Sequence, residues 1–544
     1  MIVSLLPLVY LALLAQPGAA KDSTSFKNTT GTSPILFPTD VGFGSDEVPG
    51  GAPYNAQIDK ISYRPRTDAS IEMRWLPKNA KRDHATSDDI FRHLANMTPY
   101  KPADKLFPET YGYEKVPDQC EIKQVHILHR HGSRYPDKGH KSGPGNFGEK
   151  VQDAVKAGKL KASGELEFLY NWNYDLGQKI LVHNGAQEMF MSGVKAYYDY
   201  AKLLSNFTAH KPVVRTSSHS RVLDSARYWT LGFFGWDATD KMHLEVLTED
   251  DFQNLTLAGK NACRNADSDD YELSVNVSAI WQNIYLQAPK ARLQKNLKGI
   301  DLTITDVYNM MSACPYETVG IGYSDFCKLF TKNEWLNFEY DMDLQTMADN
   351  GFLNPTARGV GIGWVSEFIA RLKKEKFTGP VTTQNMTLDT NSTYFPLDQP
   401  LFVDVSHHSQ MTSIMAALNL TQFKSKFDPH HNDQNRNFKL SQVLPYGARW
   451  VWEVLDCNEK KGNQTYIRMK MNEAIVPLNE AQGCKPRPDG LCKLDDFTSY
   501  LEKNAYKASK FDLSCFGKNG TDFKLKGLST VTDGVVPDSA IVHH

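Results

Sequence analysis

The sequence lacks three features that mark specialised classes of protein: a charge imbalance, a long apolar run and closely spaced cysteines. Its 61 Lys and Arg nearly balance 63 Asp and Glu, so the overall charge favours neither nucleic acid nor an anionic membrane. The apolar run from Ile2 to Ala15 is shorter than the roughly 20 residues of a membrane-spanning helix, and no later segment offers one. No two cysteines have the CxxC spacing of a zinc site, and no segment repeats at a fixed period. With 544 residues, 41% of them hydrophobic, the chain is typical of a folded globular protein with a large core.

The start of the chain and the cysteines indicate an exported protein. Residues 1–20 carry no charged side chain and end in small residues, which is typical of a cleavable signal peptide. Residues 21–92, rich in Ser, Thr, Asp, Gly and Pro, predict a loose N-terminal extension. Eight cysteines, an even number, predict disulfide bonds in an extracellular, periplasmic or cell-wall compartment. Ten Asn-x-Ser/Thr sequons predict a secreted glycoprotein, at Asn28, Asn96, Asn206, Asn254, Asn276, Asn385, Asn391, Asn419, Asn463 and Asn519.

From residue 93 onward, apolar runs alternate with amphipathic segments, which is the pattern of an α/β fold. Three segments share one layout, in which an apolar strand leads into a polar turn. These turns are Arg130-His131-Gly132-Ser133-Arg134, Arg215-Thr216-Ser217-Ser218 and Ser406-His407-His408-Ser409. The carboxyl ends of parallel strands form the ligand-binding edge of an open α/β sheet. We therefore expect the three polar turns to meet at that edge.

The first two turns carry groups suited to a phosphate ester. Arg130, Arg134 and Arg215 would place three permanently charged guanidinium groups around one tetrahedral dianion. The imidazole of His131 can attack phosphorus in line and form a phosphohistidine, which water then hydrolyses. Gly132 removes a side chain where the backbone must turn tightly. These residues predict a phosphoryl-transfer site in which positioning and charge neutralisation do most of the catalysis.

The string Arg130-His131-Gly132-x-Arg134-x-Pro136, with a histidine-containing turn near the end, resembles the signature of the histidine acid phosphatases, and most closely their secreted phytase-like branch. The resemblance implies an α/β fold with a phosphoglycerate-mutase-like three-layer core, in a catalytic unit spanning residues 93–544. It also implies an inserted, mainly helical subdomain, chiefly residues 137–205 and 236–375. The implied roles are His131 as nucleophile and, as phosphate-binding residues, Arg130, Arg134, Arg215 and His407. No metal or organic cofactor is implied.

The same resemblance implies how the cysteines pair. The expected bridges are Cys120 with Cys457, Cys263 with Cys515, Cys314 with Cys327, and Cys484 with Cys492. This pattern uses all eight cysteines. An N-terminal pair found in some relatives has no counterpart in this chain.

One departure from the family pattern concerns the proton donor. The late turn of the family reads His-Asp, or His-Ala-Glu in another branch, and its carboxylic acid protonates the leaving alcohol. Here it reads His407-His408, and neither Ser409 nor Gln410 supplies an acid. A positioned general acid typically contributes about 10²- to 10⁴-fold in rate. His408 can itself be the catalytic donor, because phosphate favours an imidazolium, and activity would then persist to higher pH. The alternative is a degenerate, non-catalytic phosphate-binding glycoprotein.

Three further residues or groups have a simpler structural explanation. Asp404 is a possible substitute acid, but strand alternation gives no guarantee that its side chain faces the site. A metal site built from His126, His129 and His131, with His407 and His408 nearby, is disfavoured. No ligand spacing such as His-x-x-x-His supports it, and the three arginines would repel a cation. His219 stands near the second turn, where a position in the turn explains it as well as a role in the site does.

The expected partner is a small phosphate ester, with no nucleic acid and no membrane partner. Resemblance suggests inositol phosphates such as phytate, and a broad-specificity acid phosphatase is the competitor within the same class. Lys138, His140 and Lys141, just beyond the first turn, could meet additional phosphates, although such basic trios are more often solvated loops.

Overall fold

The computed structural model describes residues 90–137, 143–251, 253–267, 273–460, 462–517 and 533–536. The signal peptide predicted at residues 1–20 and nearly all of the predicted extension lie outside the described residues, as do Lys138, His140 and Lys141. Ile90 and Phe91, at the end of the predicted extension, are buried in the main hydrophobic core. The last residues of that extension are therefore part of the packed fold.

An eight-stranded mixed sheet forms the centre of the fold. In chain order the described strands are β1 Cys120–Arg130, β2 Lys161–Ala162, β3 Val213–Ser217, β4 His243–Leu247, β5 Leu297–Lys298, β6 Leu401–Ser406, β7 Arg449–Glu459, β8 Gly462–Met471, β9 Ala474–Val476 and β10 Cys492–Lys493. The order across the sheet is β10-β8-β7-β1-β6-β3-β4, with β9 paired to β8, while β2 and β5 form a separate ribbon. Strands β1, β6, β3 and β4 are parallel, and β7 runs antiparallel to β1. The parallel half thus brings the carboxyl ends of β1, β3 and β6 to one edge, as the sequence predicts.

Helices cover both faces of this sheet. The described α-helices are α1 Pro144–Lys156, α2 His183–Tyr200, α3 Ser220–Phe234, α4 Ala238–Lys241, α5 Leu273–Tyr285, α6 Gln287–Gln294, α7 Ile304–Ile321, α8 Lys332–Asn350, α9 Ala357–Lys373, α10 Met386–Asp389, α11 His408–Ala417, α12 Leu440–Val443, α13 Leu494–Ser509 and α14 Phe511–Phe516. Within the described part of the chain, no helix combines the length and the apolar character that crossing a bilayer requires.

Alternation along β1 shows how the layers pack. Ile127 belongs to an apolar cluster with Trp229 of α3, whereas Leu128, the next residue, belongs to a cluster with Trp364 of α9 and Met411 of α11. Successive side chains of a strand point to opposite faces. The sheet therefore lies between two helical layers, and the predicted three-layer α/β core is confirmed.

Local sequence signals fix the long helices beside the sheet. Helix α7 begins at a capping box, in which the Thr303 hydroxyl accepts from the Asp306 backbone and the Asp306 carboxylate accepts from the Thr303 backbone. Thr331 and Glu334 form the same arrangement at the start of α8. Helix α7 ends at Ile321 and is capped by Gly322, whose left-handed conformation, with φ of 84°, glycine adopts without strain.

All four predicted disulfide bonds are present. Cys120 and Cys457 stand directly opposite each other on β1 and β7, so the first bridge joins the centre of the sheet to its antiparallel half. The other three bridges also follow the predicted pairing, and none of the eight cysteines is free. Such bridges are typical of proteins from oxidising compartments.

Candidate active site

Strand β1 ends at Arg130, so the next residue, His131, lies at the carboxyl edge of the sheet. The His131 backbone is held on both sides, since its N–H donates to the Ser406 carbonyl at 3.1 Å and its carbonyl accepts from Gly447 at 2.9 Å. The ring Nδ1 lies 2.9 Å from the carbonyl oxygen of Gly132. A carbonyl only accepts hydrogen bonds, so Nδ1 carries the ring proton and Nε2 keeps a lone pair.

The surroundings of His131 also set its charge. Burial, followed by the positive charges of Arg130, Arg134 and Arg221, lowers the pKa of His131 well below its ordinary value. A lowered pKa favours the neutral imidazole, which has the lone pair that nucleophilic attack requires. The charges that prevent protonation would at the same time attract a phosphate dianion.

Arg130 and Arg134 are both buried beside this ring, as the sequence predicts. Arg130 donates from Nη1 to the Leu444 carbonyl at 2.7 Å and lies 4.5 Å from the Tyr446 ring centroid. Arg134 donates to its neighbour Tyr135 and, from Nη2, to Asp137 at 2.7 Å. The Nε of each arginine is buried without a hydrogen-bond partner among the described residues. Because buried N–H groups are nearly always paired, these two donors indicate a place for the oxygens of an anion.

The start of α2 holds the turn after His131. A Cβ on Gly132 would lie 2.4 Å from the Gly185 carbonyl oxygen, so glycine is required here for close approach of α2. The φ of Gly132 is not positive, so the close approach of α2, rather than a left-handed backbone, is what requires glycine here. Glu188 of α2 accepts from the Ser133 backbone at 2.8 Å and from its hydroxyl at 2.9 Å. Helix α2 therefore fixes the loop that carries Arg134.

Arg215 does not join this group, which corrects the sequence prediction. Its Nε donates to Asp404 at 2.8 Å and its Nη2 to Glu367 at 2.5 Å, while its Nη1 lies 4.0 Å from Asp389. The cause is register, because Arg215 on β3 stands directly beside Asp404 on the parallel strand β6. Carboxylates surround the whole guanidinium group, so Arg215 is a structural residue of the core.

Asp404 is held in the same cluster. It also accepts from Arg371 at 2.8 Å and from the Trp364 indole at 2.8 Å. Burial opposes ionisation, but Arg215 and Arg371 hold the pKa of Asp404 well below its usual range. A carboxylate that accepts hydrogen bonds from two arginines and a tryptophan stays ionised and is not available as a proton donor. The sequence likewise offers no guarantee that Asp404 faces the site.

The third guanidinium near His131 is that of Arg221, in the first turn of α3. Its charge is among those that keep the His131 ring unprotonated. Arg221 follows the second polar turn, so it stands beyond the end of β3 rather than inside the strand. A residue just after the end of a strand can reach the edge of the sheet, whereas Arg215 lies within β3. This difference in position is the sequence signal that could have pointed to Arg221.

His407 precedes α11 and lies beside His131, with 5.7 Å between the ring centroids. Its Nε2 is 2.8 Å from Glu249 and 3.5 Å from the Ser217 hydroxyl. Burial opposes ionisation of Glu249, yet His407 and His219 lower the pKa of this carboxyl to about 2. Glu249, which was not predicted, is therefore a permanent carboxylate that orients the His407 ring. It follows β4, the fourth parallel strand to end at this edge.

The surroundings of His408 favour its neutral form in the free protein. Burial, followed by the charges of Arg130 and Arg134, lowers its pKa well below the ordinary value. Its Nε2 lies 3.2 Å from the amide nitrogen of Asn96, while the Asn96 amide oxygen has no partner among the described residues. A half-turn of that amide would let the oxygen accept from a protonated Nε2, so the contact suits both charge states. The buried position of Asn96 also excludes it as a glycan acceptor.

Asp137 is a further charged residue that was not predicted. Its carboxylate pairs with Arg134 at 2.7 Å, and its side chain is 55% exposed. Burial of the carboxyl works against ionisation, but Arg134 and Arg221 lower its pKa to about 2. The resulting negative charge acts on His408 and favours protonation of that ring, against the stronger effects of burial and the arginines.

The other β1 histidines belong to the core. His126 stacks on Phe402 with 4.6 Å between ring centroids. His129 bonds through Nε2 to Ser192 at 2.7 Å, and burial lowers its pKa to about 3. Neither ring therefore joins His131 in a set of metal ligands.

Comparison with known proteins agrees with this geometry. The model of the histidine phosphatase superfamily, branch 2, matches residues 121–472. Phytase A of Aspergillus oryzae is 31% identical over 428 residues, which cover 74% of this chain and 86% of that protein. Phytase A of Emericella nidulans is 31% identical over 438 residues, which cover 76% of this chain and 90% of that protein.

Solved structures share the fold. The phytase from D. castellii aligns with a TM-score of 0.65 at 22% identity, over 80% of this chain and 89% of that one. A multiple inositol polyphosphate phosphatase from Bifidobacterium longum, in complex with inositol hexasulfate, aligns with a TM-score of 0.54 at 13% identity, over 75% of this chain and 97% of that one. Sequence, fold and the surroundings of His131 lead to one conclusion: the chain belongs to the histidine phosphatase superfamily, branch 2.

Proposed function

We propose that the protein is a secreted phosphomonoesterase that hydrolyses phosphate esters, including inositol phosphates, through a phosphohistidine at His131. The observation that supports this most is the orientation of the His131 ring, whose Nδ1 faces a carbonyl oxygen and whose pKa is lowered by burial and by the charges of Arg130, Arg134 and Arg221. Relatives named as phytases support the inositol phosphate class. The four disulfide bonds support secretion.

In the first step the phosphoryl group binds among Arg130, Arg134, Arg221 and His407. Nε2 of His131 attacks phosphorus, and the bond between phosphorus and the ester oxygen breaks. The leaving oxygen takes a proton from His408, so an alcohol departs and His131 carries the phosphoryl group. The guanidinium groups stabilise the charge that develops on the phosphoryl oxygens.

In the second step water attacks the phosphohistidine. His408, now neutral, accepts a proton from the water, and the bond between Nε2 and phosphorus breaks. Inorganic phosphate leaves, and His131 regains its lone pair while His408 regains its proton. The cycle is therefore balanced in protons without a carboxylic acid at the late turn.

The low pKa of His408 in the free protein does not oppose this role. The guanidinium groups of Arg130 and Arg134 disfavour its charged form, with burial as the larger cause. A bound phosphate dianion would compensate those charges and add a negative charge of its own, which raises the pKa of the imidazole. We propose that His408 becomes the proton donor only when substrate is bound.

The alternative, a non-catalytic phosphate-binding glycoprotein, is motivated by the missing acid. The curated relatives are named as phytases, and the His131 ring has the orientation and charge of a nucleophile. Both observations favour the enzyme.

Hydrolysis of phytate and of an aryl phosphate, each from about pH 3 to about pH 8, tests the proposal. We expect both substrates to release phosphate and acid-quenched samples to contain a phosphohistidine. The His131→Ala variant should lose both signals. Phosphate binding without turnover of either substrate would overturn the enzymatic function and leave the alternative.

Variants at His408 test the proton donor separately. His408→Ala should lower phytate turnover roughly 10²-fold and aryl phosphate turnover much less, because an aryl leaving group needs little protonation. His408→Asp, the matched control, should restore phytate turnover at acid pH. An equal effect of His408→Ala on both substrates would contradict His408 as the donor.

A further inference from the structure

We propose that His219, Glu249 and His407 bind a divalent transition-metal ion such as Zn²⁺, and that this ion inhibits the enzyme. The binding itself rests on the geometry of the three side chains. The inhibition rests on the proposed function, in which His407 contacts the phosphoryl group. A metal held by His407 would remove that contact.

Three separate loops at the carboxyl edge of the sheet supply the ligands. His219 directly precedes α3, Glu249 follows β4, and His407 directly precedes α11. One ligand atom from each side chain lies within 4.8 Å of the other two. Glu249 stands between the rings, with Oε1 3.3 Å from Nδ1 of His219 and Oε2 2.8 Å from Nε2 of His407. A tetrahedral zinc ion holds its ligand atoms about 3.3 Å apart, so small side-chain rotations suffice.

The ligand types select the class of ion. Two imidazoles and one carboxylate suit Zn²⁺, Cu²⁺, Ni²⁺ and Co²⁺, whereas Mg²⁺ and Ca²⁺ prefer sets of oxygen ligands. On binding, each ring presents the lone pair of the nitrogen that now faces Glu249, and a proton on that nitrogen moves to the other ring nitrogen or to solvent. Water or a phosphate oxygen would occupy the remaining position.

Exposure and charge set the expected strength. The His219 side chain is 45% exposed, which gives an ion a path from solvent to the two more buried ligands. The positive charges of Arg221 and Lys179 act on the His219 ring and oppose a cation there, while the Glu249 carboxylate compensates. The site should therefore bind more weakly than a structural zinc site, as fits a reversible inhibitor.

Binding is tested with Co²⁺ and phosphate-free protein. Wild type should show the visible absorption of protein-bound Co²⁺, and Zn²⁺ should displace it. His219→Gln should lower Co²⁺ affinity roughly tenfold or more. A double variant, His430→Gln with His431→Gln, is the matched control because it removes two exposed histidines outside the proposed site. Unchanged Co²⁺ affinity in His219→Gln would overturn the site.

Inhibition is tested with an aryl phosphate, with Zn²⁺ and then with a chelator. Zn²⁺ should inhibit wild type and the double variant, and the chelator should restore both. His219→Gln should keep its basal turnover and lose most of the inhibition. Equal inhibition of His219→Gln would overturn the inhibitory role. If the protein showed no turnover at all, Co²⁺ binding would still decide the metal site, so the two failures are distinguishable.

Discussion

Two buried arginine clusters, one at the carboxyl edge of the sheet and one deeper in the fold, differ in what surrounds them. At the edge, Arg130 and Arg134 have buried Nε groups without a partner in the described part of the chain. Deeper in the fold, Arg215 of β3 and Arg371 of α9 both pair with Asp404, and Arg215 also pairs with Glu367, although the Nε of Arg371 likewise has no partner among the described residues. The arginine side chains of both clusters are buried.

The difference shows what makes a buried arginine a ligand site. A guanidinium paired closely with a buried carboxylate, as those of Arg215 and Arg371 are, has its charge neutralised and serves the fold. A guanidinium without a buried carboxylate keeps a positive field, and an anion can accept its open hydrogen bonds. The presence of buried carboxylates separates the structural cluster from the binding one, in which Arg134 pairs only with the exposed Asp137.

Arg215→Met breaks the inner cluster and should have the largest effect on stability. It leaves Glu367 without its guanidinium partner, and loss of one member of a buried pair costs about 3–5 kcal/mol. The free energy of unfolding, measured by urea denaturation, should fall by that amount. KM for an aryl phosphate, measured where the variant remains folded, should stay near that of wild type. A tenfold rise in KM with unchanged stability would restore Arg215 to the phosphate site, as first predicted from sequence.

Arg221→Gln should have the opposite profile. Loss of one positive group that stabilises the transition state typically costs about 10²- to 10³-fold in rate, so kcat/KM should fall by that factor. Phosphate should inhibit the variant more weakly, and unfolding should change little. Arg227→Gln, in the same helix and paired with Asp224 at 3.0 Å, is the control that should retain activity. Full activity of Arg221→Gln would show that the edge cluster needs only Arg130 and Arg134.

Much of the fold could be predicted because its signals are local. The apolar runs of β1, β3 and β6 and the polar turns after them are visible in the sequence, and parallel pairing brings their ends to one edge. The disulfide pattern followed from family resemblance. The pairing of β7 with β1 had no local signal, because an apolar run indicates burial but not a neighbour, and only the expected Cys120–Cys457 bridge indicated that the two segments meet.

The error at Arg215 has a specific physical cause. Arg130 is the last residue of β1, whereas Arg215 lies two residues before β3 ends at Ser217. At about 3.3 Å per strand residue, Arg215 is roughly 7 Å deeper in the sheet. The register of β3 against β6 then places Asp404 beside Arg215. The local sequence pattern does not determine the register between two strands that are distant in sequence. Glu249 was missed for a related reason, since its role depends on His407, a partner distant in sequence.

Glu317 extends the comparison to a buried carboxyl without an arginine. It accepts hydrogen bonds from the Trp172 indole at 2.7 Å and from the Ser324 hydroxyl at 2.5 Å, and no described cation is among the groups that shift its pKa. Burial raises its pKa from 4.5 to about 8. Asp404, equally buried but flanked by two guanidinium groups, stays ionised. A buried carboxyl group therefore keeps its proton at Glu317 and is ionised at Asp404, where guanidinium groups are present.

This contrast predicts a pH dependence of stability for which Glu317 is responsible. Its contribution is complete below pH 4.5, is lost as pH rises toward about 8, and stays lost above that value, because the unfolded chain releases the proton first. Glu317→Gln keeps a neutral group that can bond to both Trp172 and Ser324. Between about pH 6.5 and about pH 7.5, the unfolding free energy of wild type should fall by about 1.4 kcal/mol relative to the variant. Parallel urea unfolding curves of the two proteins measure this difference, in which the buried histidines cancel. If the difference is independent of pH, Glu317 is ionised in the folded protein and guanidinium groups are not needed to ionise a buried carboxyl.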